Sequence, residues 1–407
     1  MTILVVFILL VFGYSLASRR MEHTILTAPM VFTGVGMLLV ITLPVLGELD
    51  AERKAFLLLA EIGLVLTLFS DATRINLGVL RANENLPIRL LSIGMLPTIL
   101  LGALTAAFIF PELSLWEASI LAAILAPTDA GLGEVIVNSP QVPTRVRQAL
   151  NVEAGLNDGL SVPFMMCFIA LAEVSTKGAG AVLMQFVWEQ LGFGALVGAA
   201  IGFAGGGLLG LANRKGWMAE SLQQFGLVAL PILCVIGCEP IGGSMFIAAY
   251  VAGLVVQMGF GEAGQKSVEF TEGWGRLLDF FVFFLFGMLV ARVMRQFTPA
   301  LAVYAMLSLT VVRMLPVAMA LIGTRLSVVT AVFMGWFGLR GLASIVLGLV
   351  YLEQESRLPG ESTIRLAVMA TVLLSIFAHG LSAVPGISLY ARKIAMLDAS
   401  APELQEK

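Results

Sequence analysis

The chain has 407 residues, of which 58% are hydrophobic and only 13% charged, and its formal net charge is −3. A soluble globular protein carries about 25% charged residues, so this composition excludes an ordinary soluble protein and indicates a chain that crosses a membrane many times. The small net charge gives no indication of a nucleic-acid partner. The three cysteines lie in or beside apolar runs, which argues against a disulfide framework.

The apolar residues come in runs of about 20, enough to cross a hydrocarbon core about 30 Å thick. The first run has no basic residue before it and Arg19 and Arg20 after it, which favours a retained first helix with its N-terminus outside. The predicted inside loops then hold 15 lysines and arginines and the outside loops 7, and the C-terminus is cytoplasmic. The thirteen predicted spans are 2–18, 29–47, 54–73, 87–110, 115–137, 145–172, 183–211, 221–238, 242–260, 275–294, 299–322, 328–351 and 364–390.

Two of these spans contain helix-breaking residues. Span 5, "SILAAILAPTDAGLGEVIV", contains Pro127 and two glycines, and span 12, "AVFMGWFGLRGLASIVLG", contains three glycines around Arg340. The two spans lie seven apart and therefore cross in opposite directions. This pattern is typical of an inverted-repeat transporter, whose ion site lies at the midplane between discontinuous helices; two ordinary glycine kinks are the alternative.

The predicted fold is therefore an all-α polytopic membrane protein with about 13 transmembrane helices. We expect residues 1–407 to form one membrane transporter domain. Its expected parts are inverted repeats at about 1–172 and 221–391, a linking helix at 183–211, and a short cytoplasmic tail at 392–407.

The stretch "NVEAGLNDGLSVP" places Glu153, Asn157 and Asp158 in an apolar run. Charged groups in such runs usually face the bundle interior, where they pair or line an ion path. Glu153 and Asn157 share one helix face, with Asp158 about 100° further round. Pro127 frees backbone carbonyls beside Thr128 and Asp129, and hard oxygen ligands of this kind suit a small dehydrated cation.

Arg340 keeps its proton and needs a carboxylate partner, for which we predict Glu153, since Asp158 must stay able to exchange its ion. The alternative is that these polar groups only hold helices together. His379 is either a pH sensor or, more commonly for a lone histidine near a helix end, structural. Pairing or snorkelling would explain Glu61 and Arg313 equally well, and Glu134 is left without a role.

The segments "APTDAGLGEVIV", "ALNVEAGLNDG", "GGSMFIAAYVAGL", "FFVFFLFG" and "GWFGLRGLAS" resemble, in order, signatures of the monovalent cation:proton antiporter family, sodium/proton exchanger type. The resemblance covers roughly residues 55 to 390. It implies thirteen helices, broken helices 5 and 12, and a homodimer in which a six-helix core moves against a dimerisation domain. The Asn157-Asp158 pair resembles the electroneutral branch, whereas the electrogenic branch has two aspartates.

The same resemblance implies roles for individual residues. Asp158 would bind cation and proton alternately, with Asn157 and Thr128 as further Na⁺ ligands and Asp129 in the crossing. Asp71 in helix 3 would lie near the site. Many relatives have serine where this chain has Ala154, which leaves the choice among sodium, lithium and potassium open.

The resemblance also implies that Glu153 pairs with Arg340, and the family often has the His-Gly found at His379. The resulting prediction is an electroneutral antiporter that exchanges Na⁺ for H⁺ in the bacterial inner membrane and serves pH homeostasis. We expect it to be homodimeric, to need no cofactor and not to be an enzyme. The alternatives are a sodium-coupled symporter of an organic substrate, an intramembrane enzyme and a channel.

Overall fold

A computed structural model describes residues 2–21, 24–43, 53–74, 85–129, 133–137, 139–173, 187–260, 265–353, 358–397, 401 and 403. Every regular element in these residues is helical. Each of the thirteen predicted spans contains a helix, which confirms the predicted all-α polytopic fold.

The helices are named for the spans they occupy. They are α1 Thr2–Met21, α2 Ala28–Thr42, α3 Arg53–Arg74, α4 Asn85–Arg89 with Leu90–Gly94 and Met95–Ile109, α5a Leu115–Ile124, α5b Glu134–Val137, α6 Thr144–Glu173, α7 Val187–Phe193 with Gly194–Arg214, α8 Glu220–Cys238, α9 Met245–Gly259, α10 Gln265–Val293, α11a Pro299–Leu309, α11b Val311–Leu321, α12a Val328–Trp336, α12b Leu342–Glu353 and α13 Glu361–Ile394.

Among the described residues, nine helices are long and apolar enough to cross a membrane, and four more are apolar but shorter. Two of the shorter helices, α5a and α12b, are halves of the spans predicted to be broken. Their shortness is therefore the consequence of the interruption and not of a weak apolar pattern.

Both predicted interruptions are present. The first helical half of span 5 ends at Ile124, just before Pro127, and the second begins at Glu134. Span 12 is interrupted over residues 337–341, a stretch that includes Gly338, Arg340 and Gly341. Proline removes a backbone donor and clashes with the preceding turn, and glycine lowers helix propensity, so both breaks follow from local chemistry.

Three irregularities were not predicted. Span 11 is divided at Thr310, and two stretches, Leu90–Gly94 in α4 and Val187–Phe193 in α7, are π-helical. A π-helical turn depends on how a helix packs against its neighbours, and it has no strong composition signal.

The described contacts group the chain into two compact units. The first holds α1, α2, α4, both halves of α5, α6 up to Ala154, α10 from Phe280, and α11a to α13. Its core includes an aromatic cluster in which Phe32 stacks on Phe280 with ring centroids 4.5 Å apart, and Phe7 packs beside Phe284. The candidate crossing of the broken helices lies wholly within this unit.

The second unit holds α3, α6 from Gly155, and α7 to α9, with α10 up to Asp279. Its tightest contact joins α7 to α9. Five buried glycines at every fourth position of α7 face the α9 backbone, and Cβ atoms on them would overlap backbone atoms of α9 or of the residues flanking it. The glycines are Gly194, Gly198, Gly202, Gly206 and Gly210.

Candidate functional site

The two helix breaks meet through the backbone and side chain of Asp129. Its N–H donates to the Leu339 carbonyl at 2.9 Å, and its carboxylate Oδ2 accepts the Leu342 N–H at 2.6 Å. Leu342 is the first residue of α12b, where unsatisfied N–H groups carry partial positive charge. Asp129 therefore neutralises the N-terminal end of the second broken helix.

Arg340 interacts with the C-terminal end of the other broken helix, α5a. Its Nη1 donates to the carbonyls of Ala126 and Pro127 at 3.0 and 3.1 Å, just beyond the C-terminus of α5a, where the partial charge is negative. Its own N–H donates to Ser375 Oγ in α13 at 2.7 Å. The guanidinium is fully buried and is engaged by the carbonyls that Pro127 frees.

Glu153 pairs with Arg313 and not with Arg340. The Arg313 Nη1 lies 2.6 Å from Glu153 Oε1, and both side chains are about 2% exposed. The predicted Glu153–Arg340 pair is therefore wrong, because the carbonyls at the end of α5a take up the Arg340 guanidinium. A Cβ on Gly338 would overlap the Arg313 guanidinium, so this glycine leaves the space that the arginine fills beside the α12 break.

The sequence did not identify Arg313 as the partner of Glu153, because pairing and snorkelling explained this arginine equally well. The available signal was its position: it is the third residue of α11b, in the middle of span 11 and too far from either end to reach an interface. A buried guanidinium needs oxygen partners to offset its desolvation, and Glu153 is the ion-pair partner that the described residues supply to Arg313.

A small cavity lies beside the crossing. Its volume is about 20 Å³, which exceeds the 10–15 Å³ or so that one water molecule needs and gives room for one water or one dehydrated monovalent cation. It is lined by Thr128 and Asp129 of the first break, Leu150 and Ala154 of α6, and Phe337 and Leu339 of the second break. Thr128 and Asp129 bring oxygen atoms to this lining, whereas Ala154 presents a methyl group where a serine would present a hydroxyl.

Asn157 and Asp158 are both buried in α6, at 1% and 8% exposure. Asp158 follows Ala154 by four residues and so lies one turn further along the same face of α6. Both belong to the second unit, in which a Cβ on Gly155 would lie 3.6 Å from the Asp71 Cβ and 3.8 Å from the Tyr250 ring. Asp71 in α3 thus packs against α6 two residues before Asn157.

His379 is fully buried in α13, and its Nδ1 lies 3.0 Å from both the hydroxyl and the carbonyl oxygen of Ser375. Because Ser375 Oγ also accepts the Arg340 N–H, one hydroxyl joins the histidine to the crossing. Trp336 packs on the imidazole with ring centroids 4.9 Å apart. Sequence reasoning missed Ser375, although its spacing of four from His379 places both on one helix face.

A family model described as "Sodium/hydrogen exchanger, transmembrane" matches residues 6–387. The K(+)/H(+) antiporter NhaP of Alkalimonas amylolytica is 26% identical over 346 residues, which are 80% of this chain and 58% of that protein. The sodium, potassium, lithium and rubidium/H(+) antiporter of Bacillus subtilis is 27% identical over 208 residues, 51% of this chain and 30% of that protein. The chain thus spans less than two thirds of the length of these relatives.

Among solved structures, the sodium proton antiporter MjNhaP1 from Methanocaldococcus jannaschii at pH 8 is similar to this chain with a TM-score of 0.73. The match covers 93% of this chain and 99% of that one at 19% identity. At this identity the match shows the fold.

Proposed function

Because the chain belongs to the sodium/hydrogen exchanger family, we propose that it is a secondary active antiporter that exchanges a monovalent cation for a proton across a membrane. The observation that carries this proposal is the cavity at the crossing, which has room for one small ion and is lined by Thr128 and Asp129. Asp158 lies one helical turn from Ala154, which also lines it.

Three charged residues near the cavity form hydrogen bonds or ion pairs with other residues of the first unit. Asp129 accepts the Leu342 N–H, Arg340 donates to two carbonyls, and Glu153 forms an ion pair with Arg313. We propose, as the family resemblance implies, that Asp158 carries the exchange. A proton and a cation compete for it because each neutralises the same carboxylate.

Alternating access couples the two fluxes. A carboxylate loaded with either ion can move between inward-facing and outward-facing states, whereas an empty one would carry an uncompensated charge through the apolar barrier. Insertion scales put the cost of such a charge at about 2.5–3.5 kcal/mol. We propose that this cost prevents the empty carrier from crossing.

We propose Na⁺ as the cation, with Thr128, Asn157 and Asp158 supplying oxygen ligands. The absence of a hydroxyl at Ala154 leaves one ligand position to water or a backbone oxygen. Relatives named for potassium, and for several alkali cations, make potassium the main competitor. Competition among sodium, potassium and lithium in one transport assay decides this point.

The finer assignments are also proposals. Asn157 cannot titrate, so we expect one exchangeable charge and electroneutral exchange. We expect a homodimer in the bacterial inner membrane, with the N-terminus outside and the C-terminus in the cytoplasm, and a role in pH homeostasis. We also expect inverted repeats at about 1–172 and 221–391, and we expect Asp71 and His379 to act around the site without binding the ion.

A symporter of an organic substrate has no support from the geometry or the relatives. The cavity at the crossing, at about 20 Å³, is far smaller than the several hundred Å³ that an organic ligand of ordinary size occupies. Arg340, which would be the natural anchor for an organic anion, already donates to two backbone carbonyls.

The test is exchange in proteoliposomes that contain a pH-sensitive dye, with sodium, potassium, lithium and an organic cation added in turn. The purified Asp158→Asn protein should lose cation-driven proton movement while its melting temperature stays close to that of the unchanged protein. Glu112→Gln, which alters an exposed carboxylate outside the spans, is the control and should transport normally. Normal exchange by a folded Asp158→Asn protein would remove Asp158 from the mechanism.

A further inference from the structure

The N-terminus of α12a lacks one part of a complete cap. Ser327 is the N-cap residue, and its side chain accepts the Thr330 N–H at 3.2 Å. In a complete capping box, a Glu or Gln at the third helical position accepts the N–H of the N-cap residue in return. Thr330 occupies that position in α12a, so the helix offers no local carboxylate for the Ser327 N–H.

The other broken helix shows the complete form. At the start of α5a, the Glu117 N–H donates to Ser114 Oγ at 3.2 Å and the Ser114 N–H donates to Glu117 Oε2 at 2.8 Å. Glu117 also accepts the Gly360 N–H at 2.7 Å, at the N-cap of α13. The two broken helices thus begin in the same way except for the source of one carboxylate.

Glu403 supplies the carboxylate that α12a lacks. This residue lies nine positions after the end of α13 at Ile394, yet it is only 3% exposed. Its Oε1 accepts the Ser327 N–H at 2.5 Å and the Thr330 hydroxyl at 3.0 Å. The Tyr390 hydroxyl lies within hydrogen-bond distance of the Thr330 hydroxyl, at 3.0 Å.

The capped helix leads directly to the cavity. Phe333 of α12a stacks on Tyr390 with centroids 4.1 Å apart, and Trp336 Nε1 donates to Ser382 Oγ at 3.0 Å. Phe337, the residue after the helix, lines the cavity. At 1.5 Å per residue, Ser327, which Glu403 contacts, and Phe337, which lines the cavity, lie about 15 Å apart along the axis of α12a.

We propose that Glu403 completes the N-terminal cap of α12a and thereby fixes the helix half that shapes the ion cavity. Glu403 is then a positioning residue: without it, α12a is uncapped and the site holds its cation less well. This effect on the cation rests on the proposed antiport, whereas the capping does not.

The experiment compares four purified proteins: the unchanged chain, Glu403→Ala, Glu406→Ala and the double variant Glu403→Ala with Thr330→Glu. Glu406→Ala removes the same charge from the same segment and serves as the matched control. Thr330→Glu restores a local capping box in the space that Glu403 leaves. Hydrogen–deuterium exchange is measured on peptides that cover α12a and α5a, and the half-saturating cation concentration is measured in proteoliposomes.

We expect Glu403→Ala to speed amide exchange at the start of α12a about fivefold, the effect of losing a typical N-cap contact. It should leave α5a unchanged and raise the half-saturating cation concentration. Glu406→Ala should match the unchanged protein, and the double variant should recover slow exchange at α12a.

Equal exchange at α12a in Glu403→Ala and Glu406→Ala would overturn the capping. Fast exchange in the double variant, with normal exchange elsewhere, would also overturn it. A faster-exchanging α12a with an unaltered cation dependence would overturn the effect on the cation. Loss of all transport in the unchanged protein would instead count against the antiport.

Discussion

The Glu153–Arg313 pair gives the sharpest prediction about stability. At an N–O distance of 2.6 Å and an effective dielectric constant of about 20, the attraction is about 6 kcal/mol. Desolvation of each ion costs several kcal/mol, so the pair is close to neutral as a whole. Removing one partner leaves a buried, uncompensated charge and typically costs about 3–5 kcal/mol.

We expect Glu153→Leu and Arg313→Met each to lower the free energy of unfolding by an amount in that range. The double variant should be more stable than either single variant, because it leaves neither charge alone. The assay is unfolding of the detergent-solubilised protein in an SDS titration, followed by tryptophan fluorescence. Glu153→Leu combined with Arg340→Met is the control, and the losses of unfolding free energy from its two substitutions should add.

An additive result for Glu153→Leu with Arg313→Met would refute the pairing. Recovery of stability in Glu153→Leu with Arg340→Met would restore the pairing predicted from the sequence alone. The two cycles therefore give opposite outcomes for the two candidate partners.

Three further outcomes are expected. Because Asn157 cannot titrate, the flux-reversal point should not shift when the membrane potential is changed by about 100 mV in valinomycin-clamped proteoliposomes. Such a change is worth about 2.3 kcal/mol per uncompensated charge. A shift of the reversal point would show that the exchange is electrogenic. Gly202→Ala should destabilise the protein by about 1–3 kcal/mol, since the added Cβ would overlap α9. Gly207→Ala is the control: a Cβ at this position meets nothing within 4 Å, so this variant should melt no lower than the unchanged protein. Burial opposes ionisation of Glu403, but hydrogen bonds from Ser327 and Thr330 outweigh it and lower the pKa below the ordinary 4.5. The contribution of Glu403 should be complete above pH 4.5, constant through neutral pH and lost only as the pH falls through the lowered pKa. A protection factor of α12a, corrected for the base-catalysed intrinsic exchange rate, that changes between neutral and mildly alkaline pH would contradict this.

The helices and their interruptions could be predicted because their signals are local. Runs of about 20 apolar residues mark the spans, and Pro127 and the glycines around Arg340 mark the breaks. The backbone of a broken helix must find new partners in an apolar setting, so the polar residues beside each break were also expected. Thr128 and Asp129, which follow Pro127 at the first break, line the cavity.

Contacts between distant parts of the chain could not be predicted in the same way. Two arginines, Arg313 and Arg340, were available to Glu153, and the choice depended on which of them the α5a carbonyls would engage. Glu403 gave even less signal, because one glutamate in a short charged segment looks solvated until the fold brings it to Ser327. By contrast, the spacing of Ser114 and Glu117 is a capping-box pattern that the sequence does contain.

The contact between α7 and α9 has a mechanical consequence. Where the five glycines of α7 face α9, the two backbones touch directly, and no side chain on that face of α7 can rotate aside to let the helices slide. Under a pulling force applied along the chain, the helices from Gly194 to Gly259 should resist separation and leave the bilayer together in one rupture step. Such a segment should respond to load as one rigid body.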